Sequence, residues 1–296
     1  MNPIKFSIVI PTYNRASLIA KTLKSVLEQD YPHSEILVID DGSTDSTQEI
    51  VENIQSLKIQ YYKIPNGERA KARNFGIQKA TGDFITFLDS DDILYPHHFS
   101  TAQNLISNHP NDVFFSLAYE VVDTSGKVLH IYHQRKGDLN AQLITGNHLS
   151  CIGVFIKCDI LLKNLFNEER NLSGTEDYEL WLRLASQYRI IYNNVVTSAI
   201  VNHESRSVLS FEEKKLVDRM VILENALQQN TSVLQFYKSS GIQTIMAHSW
   251  LYVSLHLAMS KKTKPAIQYL LKAGFMKWNL FFTRKALAII KKILVG

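Results

Sequence analysis

Three carboxylates close an apolar run in FITFLDSDD, residues 84–92: Asp89, Asp91 and Asp92 come directly after Phe87 and Leu88. A buried strand that delivers three acidic groups to one point must offset their repulsion and the cost of stripping their water. A hard divalent cation, Mg²⁺ or Mn²⁺, does both and leaves coordination positions open for phosphate oxygens. The competing reading is an acidic turn that caps the next helix, because Asp is common in turns. Two more polar clusters follow apolar runs in the same way: PTYNR (11–15) after FSIVI (6–10), and DDGSTD (40–45) after EILVI (35–39). Arg69, Lys71 and Arg73 in GERAKARNFG open a predicted helix, and basic residues at a helix N-terminus make a natural anion site. In GTEDYELWLRLA, Glu176 and Asp177 also open a helix, where the dipole favours acids.

The elements that must position these groups alternate. Short β-branched runs over 6–10, 35–39, 59–64 and 83–88 read as strands, and 16–29, 46–56 and 68–80 as helices with 3–4 spacing. Strands separated by helices of this length imply βαβ units and a parallel sheet covered on both faces. Ligands bind off the carboxyl ends of such strands, and PTYNR, DDGSTD and DSDD all fall there. Residues 113–123 and 128–133 read as a hairpin, 151–157 as a strand, 175–187 as a helix and 189–201 as an extended segment. From about residue 211 the pattern is helical, in pieces near 212–229, 243–260 and 264–294. The expected architecture is α/β, a mostly parallel central sheet flanked by helices, with an all-helical C-terminal extension.

Bulk properties exclude several classes. The chain has 296 residues, 45% hydrophobic and 20% charged, as in an ordinary globular protein. Its two cysteines, Cys151 and Cys158, form no CxxC or Cys/His cluster, so neither zinc nor a disulfide framework is expected. The first 15 residues lack the apolar core of a signal peptide, and no run of about 18 apolar residues occurs. A cytoplasmic location is therefore expected. The GxGxxG and GxxxxGK[ST] fingerprints are absent, which argues against a dehydrogenase or a P-loop NTPase.

The net charge of +4 hides an asymmetry. Nine Lys and Arg fall in residues 261–296 with no Asp or Glu, leaving 23 basic against 28 acidic residues in 1–260, a formal charge of −5. At 100° per residue, a helix over 272–294 sets Phe275, Trp278, Phe282, Ile289, Ile290 and Ile293 on one side. Lys277, Arg284, Lys285, Lys291 and Lys292 fall opposite. A basic amphipathic helix of this composition suits an anionic membrane surface, and the alternative is packing on its own domain or on a partner subunit. No nucleic-acid partner is expected.

SIVIPTYNR, VIDDGSTD, ARN-x-G, FLDSDD and TEDYELWLRL, in this order, resemble the large family 2 of inverting glycosyltransferases, with the GT-A fold. The resemblance spans roughly residues 4–207, and none of the five motifs is broken. It implies a domain over 1–208, with about 1–100 holding a nucleotide-sugar donor, expected to be UDP-linked, and 101–208 facing the acceptor, followed by a helical region over 209–296. It also implies roles. Pro11, Thr12, Tyr13 and Asn14 would hold the nucleotide, with Tyr13 able to stack on its base. Asp41 would recognise the base, while Asp40 supports it or shapes the turn. Arg73, with Asn74, would lie near the nucleotide. Asp89 would contact ribose or metal-bound groups, and Asp91 would ligate Mn²⁺ or Mg²⁺. His203 would complete the metal site or contact the diphosphate, with Arg206 a weaker phosphate candidate. Asp177 would be the general base, and Glu176 would position it or bind the acceptor. Trp181 is either an acceptor-sugar platform or a buried aromatic, and Arg183 is expected to pair with a site carboxylate.

The acceptor implied is a cell-envelope glycan or its lipid-linked precursor, which a peripheral position on the inner face of the membrane would suit. One rival is a sugar-nucleotide pyrophosphorylase, which needs a Gly- and basic-rich loop after the first strand where PTYNR stands. The other is a non-catalytic nucleotide-sugar- or glycan-binding protein at the membrane, against which the presence of both Asp91 and Asp177 argues.

Overall fold

The computed structural model describes residues 3–134, 137–203 and 212–295. Its strands are β1 (Phe6–Thr12), β2 (Ser34–Asp40), β3 (Ile59–Lys63), β4 (Phe84–Phe87), β5 (Ile93–Leu94), β6 (Phe114–Asp123), β7 (Val128–Tyr132), β8 (Val154–Lys157) and β9 (Ile190–Asn202). Its helices are α1 (Ile19–Leu27), α2 (Thr47–Glu52), α3 (Glu68–Lys79), α4 (His98–Ser107), α5 (Leu139–Gln142), α6 (Cys158–Leu161), α7 (Glu176–Ala185), α8 (Glu213–Gln229), α9 (Thr231–Met259), α10 (Thr263–Met276) and α11 (Arg284–Val295). They divide into two compact units. One comprises residues 1–137, 149–170 and 188–205, and the other 138–148, 171–187 and 206–296.

The first unit holds all nine described strands in one sheet, ordered β3-β2-β1-β4-β8-β6-β9-β5 with β7 on β6. The β3-β2-β1-β4 half is parallel, as the alternating pattern predicts. Beyond β4 the sheet is mixed: β8 runs antiparallel to β4 and β6, while β6 and β9 are parallel. All seven residues of β1 are buried, the mark of a strand covered on both faces. Register pairs Thr12 with Asp40 and Val9 with Phe87. The strands therefore end level, and PTYNR, DDGSTD and LDSDD emerge at one edge.

Two local features fix that edge. Gly42 has φ +82, a turn conformation that suits glycine. Gly76 lets α3 lie against β1, because a Cβ there would stand 2.3 Å from Val9 Cγ1. Beneath them, Phe6 packs on Phe99 and Phe155 with ring centroids 5.3 and 5.4 Å apart. His98, the first residue of α4, is fully buried beside these rings. Burial, and then His97, push its imidazole down to about 3.

The second unit gathers α5 and α7–α11 with their loops. Trp250 stacks on Tyr269 at 5.3 Å, and the Lys272 ammonium lies 3.5 Å from the Trp250 ring centre. The helix expected over 243–260 begins earlier, at Thr231, and breaks at Lys238, where φ is 58 and ψ 170. The single helix expected over 264–294 is three pieces: α10, a 3₁₀ segment over Trp278–Phe282, and α11. The cause is tertiary. The Phe281 ring fills the space above Gly274, where a Cβ would come within 1.9 Å of it. The Leu287 and Ala286 amides then donate to the Thr283 carbonyl and hydroxyl and start α11. The expected apolar stripe divides accordingly. Ile289 is fully buried, while Phe275, Trp278 and Phe282 are 84%, 74% and 75% exposed. Among the described residues no helix is long and apolar enough to cross a membrane.

Candidate active site

In the sheet unit, the loops after β1 and β2 are sewn together. The Asn14 amide donates to Ser43 Oγ at 2.8 Å, and Asn14 Oδ1 accepts from the Thr44 amide at 2.8 Å. Asn14 adopts φ 50, a left-handed conformation that Asn tolerates. The Arg15 and Ala16 amides donate to Thr47 Oγ1 and Asp45 Oδ2 at 2.9 and 3.1 Å. Pro11 and Thr12 are the buried end of β1. This rigid pair of loops presents the Tyr13 ring outward, 48% exposed, as a stacking face requires.

Asp40 is fully buried, accepting from the Ser43 amide at 2.7 Å and from the Tyr61 hydroxyl, a supporting position. Asp41 works harder than the sequence suggests. Its Oδ1 accepts from the Gly67 amide at 2.7 Å, and its Oδ2 from the Glu68 amide at 2.9 Å and Asn66 Nδ2 at 3.0 Å. It thus caps α3, and these three bonds leave about one of the roughly four lone-pair sites on its two oxygens for a further partner. Burial pushes its carboxyl above the usual range, against the pull of the Gly67 and Glu68 amides.

The three carboxylates do converge: one oxygen from each of Asp89, Asp91 and Asp92 lies within 4.8 Å of the others. Their surroundings separate them. Asp89 Oδ1 pairs with the Arg73 guanidinium at 2.8 Å. Arg73 is only 2% exposed and lies 5.4 Å from the Phe166 ring centre. Neighbouring Asn74 ties α3 to the 166–168 loop, exchanging bonds with the Phe166 backbone at 2.9 and 2.8 Å. Asp92 is buried, its Oδ1 accepting from the Val201 amide at 3.0 Å, so it anchors β9. That anchor brings His203, one residue past β9, to Asp91: Nε2 and Oδ2 stand 3.0 Å apart. Arg15, the last residue of PTYNR, reaches Asp91 Oδ2 at 3.7 Å. Oxygen donors with one imidazole suit Mn²⁺ or Mg²⁺, with the nitrogen favouring Mn²⁺. Arg206 lies outside the described residues.

In the helical unit, α7 opens with Glu176, Asp177 and Glu179 in its first turn. Asp177 Oδ2 accepts from Asn147 Nδ2 at 3.0 Å, and Oδ1 from the Tyr178 amide at 2.7 Å. Asn147 carries no motif, and only the loop brings it there. Glu176 is 2% exposed and accepts from the Gly174 amide, which shapes the turn that presents Asp177. Of the two readings of Trp181, the buried aromatic holds and the platform is corrected. Trp181 has no exposed surface, so its ring fills the core and offers no platform to a sugar. Arg183 pairs with Glu179 one turn back on its own helix, at 2.6 and 3.0 Å.

A family model described as glycosyl transferase family 2 matches residues 7–158. An uncharacterized glycosyltransferase of Rickettsia conorii is 34% identical over 193 residues. That match covers 64% of this chain and 32% of the relative, so the chain spans about a third of that relative's length. The GalNAc(5)-diNAcBac-PP-undecaprenol beta-1,3-glucosyltransferase of Campylobacter jejuni is 29% identical, over 93% of this chain and 95% of its own. Among solved structures, S. aureus TarS 1–349 in complex with UDP-GlcNAc shares the fold, with a TM-score of 0.73 at 20% identity. It covers 98% of this chain and 88% of that one.

Proposed function

Because the chain belongs to glycosyl transferase family 2, we propose that it moves a sugar from a UDP-linked donor to a hydroxyl of a cell-envelope glycan or lipid-linked acceptor, inverting the anomeric carbon. The observation that carries this reading is the meeting of Asp91 with His203 at 3.0 Å, at the sheet edge where the PTYN and DDGSTD loops end. Residues of about 1–100 serve the donor and 101–208 the acceptor, with 209–296 as a helical addition.

Pro11, Thr12 and Asn14 hold the loop against which the nucleotide lies, and Tyr13 stacks on its base. Asp41 accepts from the base with the lone-pair capacity that α3 leaves it. Asp89, oriented by Arg73, accepts from the ribose hydroxyls. Asp91 and His203 would hold Mn²⁺ or Mg²⁺, which as a Lewis acid would stabilise the charge on the leaving diphosphate. Asp177 takes the proton of the acceptor hydroxyl as that oxygen bonds to the anomeric carbon and the bond to the diphosphate breaks. Glu176 keeps Asp177 in place, and Asn147 fixes the direction of its second oxygen.

A membrane surface is the further partner proposed. Phe275, Trp278 and Phe282 project from a segment that carries nine cations and no acid. Aromatic residues of this kind insert at the interface, and each nearby cation adds about 1 kcal/mol on anionic lipid. The enzyme would then work peripherally on the inner face of the membrane, where a lipid-linked acceptor is presented.

Replacing Asp177 by Asn tests the assignment of the base. Transfer should fall to background while UDP-sugar binding stays near wild type. Transfer that survives the change removes Asp177 from this role. Loss of donor binding together with transfer would favour a structural part for it instead.

A further inference from the structure

Six side chains that the reaction above does not use lie along and beside α9 in the helical unit, and one of them, Tyr252, is within electrostatic reach of Asp177. His248, Tyr252 and His256 recur every four residues along α9, on one face of that helix over about 12 Å. The Tyr252 and His256 rings pack with centroids 4.1 Å apart. Tyr252 lies within electrostatic reach of both Asp177 and Arg219 of α8. The Arg219 guanidinium is pressed on the loop that delivers Asp177, 3.2 Å from where a Cβ on Gly174 would stand. At the other end of the row, His248 feels Lys285 of α11 and His148. The His148 ring is held by Thr145 Oγ1 at 2.8 Å from its Nε2, and its neighbour Asn147 is the residue that binds Asp177.

The charges in this row are lopsided. Burial, then Lys285 and His148, hold the His248 imidazole down to about 4. Burial, then Arg219, hold His256 down to about 4. The fixed charges of Lys285 and Arg219 attract an anion, and the half-buried imidazoles supply N–H donors to it. Guanidinium, ammonium, imidazole and phenol together form a donor set suited to phosphate oxygens.

We propose that His148, Arg219, His248, Tyr252, His256 and Lys285 form a subsite for a phosphate or diphosphate group carried by the acceptor, beside the base that deprotonates its hydroxyl. The proposal rests on the glycosyltransferase reading with Asp177 as base, but its anion binding is measured separately. Such a group belongs either to a lipid-linked diphosphate or to a polyol phosphate.

The test is a titration of the full chain, with its histidine rings isotope-labelled for NMR, with inorganic pyrophosphate. His248→Gln and His256→Gln assign the two signals. Both signals should move saturably, and Arg219→Gln should weaken binding about tenfold, the loss expected for a charge-assisted hydrogen bond. Signals that stay still at millimolar pyrophosphate, or a response unchanged by both Arg219→Gln and His256→Gln, overturn the proposal. Farnesyl diphosphate and ribitol 5-phosphate are run as separate arms. Tighter binding of the first assigns the subsite to a lipid-linked diphosphate, and of the second to a polyol phosphate. UDP-sugar binding is measured on the same protein by thermal shift. Donor binding with unmoved histidines overturns this proposal alone. Moved histidines with no nucleotide-sugar binding support the subsite and overturn the donor reading.

Discussion

Asp91 and His203, 112 positions apart, meet with Oδ2 and Nε2 separated by 3.0 Å. The bridge depends on Asp92, whose carboxylate holds the Val201 amide and so fixes the end of β9 two residues before His203. Adjacent acids thus divide their work: one binds the imidazole and its neighbour delivers the strand that carries it. Replacing His203 by Ala should lower Mn²⁺ affinity about 10–100-fold, the usual range for losing a group that tunes a metal site. Titration calorimetry with MnCl₂ and UDP checks this. Unchanged metal affinity removes His203 from the site.

Arg73 should matter to stability as well as to the donor. It is buried against Phe166 and paired with Asp89, whose side chain is 32% exposed. Because Asp89 keeps contact with water, Arg73→Met should cost about 2–3 kcal/mol, near the value of a charged hydrogen bond, and not the larger loss of a fully buried pair. Urea unfolding measures it.

Gly76→Ala should destabilise the packing of α3 on β1 without touching any polar group. A Cβ 2.3 Å from Val9 Cγ1 must push α3 away from β1. Overpacking of this sort costs about 1–3 kcal/mol. A melting temperature equal to wild type would show that α3 can shift without penalty.

The buried His98 gives the acid side of the stability profile a definite sign. Its folded pKa of about 3 lies below the ordinary imidazole value of about 6.5. Below the ordinary value the unfolded chain takes up a proton that the folded chain refuses. Stability is therefore fully present above that value and falls with pH until the folded pKa is reached, by up to about 1.4 kcal/mol per pH unit. His98→Gln should flatten this limb relative to wild type, as followed by denaturant unfolding at several pH values.

Membrane binding should depend on the three projecting aromatics and not on the whole tail. Deleting 272–296 would also remove Ala286 and Ile289 from the core, so the cleaner variant is Phe275→Ser with Trp278→Ser and Phe282→Ser. It should lose sedimentation with anionic vesicles while melting as wild type does. Undiminished vesicle binding would contradict the assignment.

Much of the sheet could be read directly from the sequence. FSIVI, EILVI and FITF are short β-branched or aromatic runs, and the polar clusters PTYNR, DDGSTD and DSDD follow them within a residue. What escaped was set by tertiary contacts. The break before α11 comes from one ring, Phe281, packing on Gly274, which periodicity cannot register. Trp181 is compatible with a platform or a core until its exposure is known. The α3 cap on Asp41 requires a loop 26 residues away to fold back. The α9 row had a signal, His248, Tyr252 and His256 four residues apart, but polar residues at helical spacing read equally as a solvated face.

The β1, β2 and β4 edge is proposed to hold a metal-assisted nucleotide-sugar site. The most direct measurement is a thermal-shift panel of UDP- and other nucleotide-sugars, with and without Mn²⁺, on wild type, Asp91→Asn and Asp177→Asn. A ligand at 100 times its dissociation constant stabilises by about 2.7 kcal/mol, so the true donor should stand out. A UDP-sugar should give a Mn²⁺-dependent shift that is kept in Asp177→Asn and lost in Asp91→Asn. A panel with no Mn²⁺-dependent shift, or an Asp91→Asn variant that responds as wild type does, would contradict it.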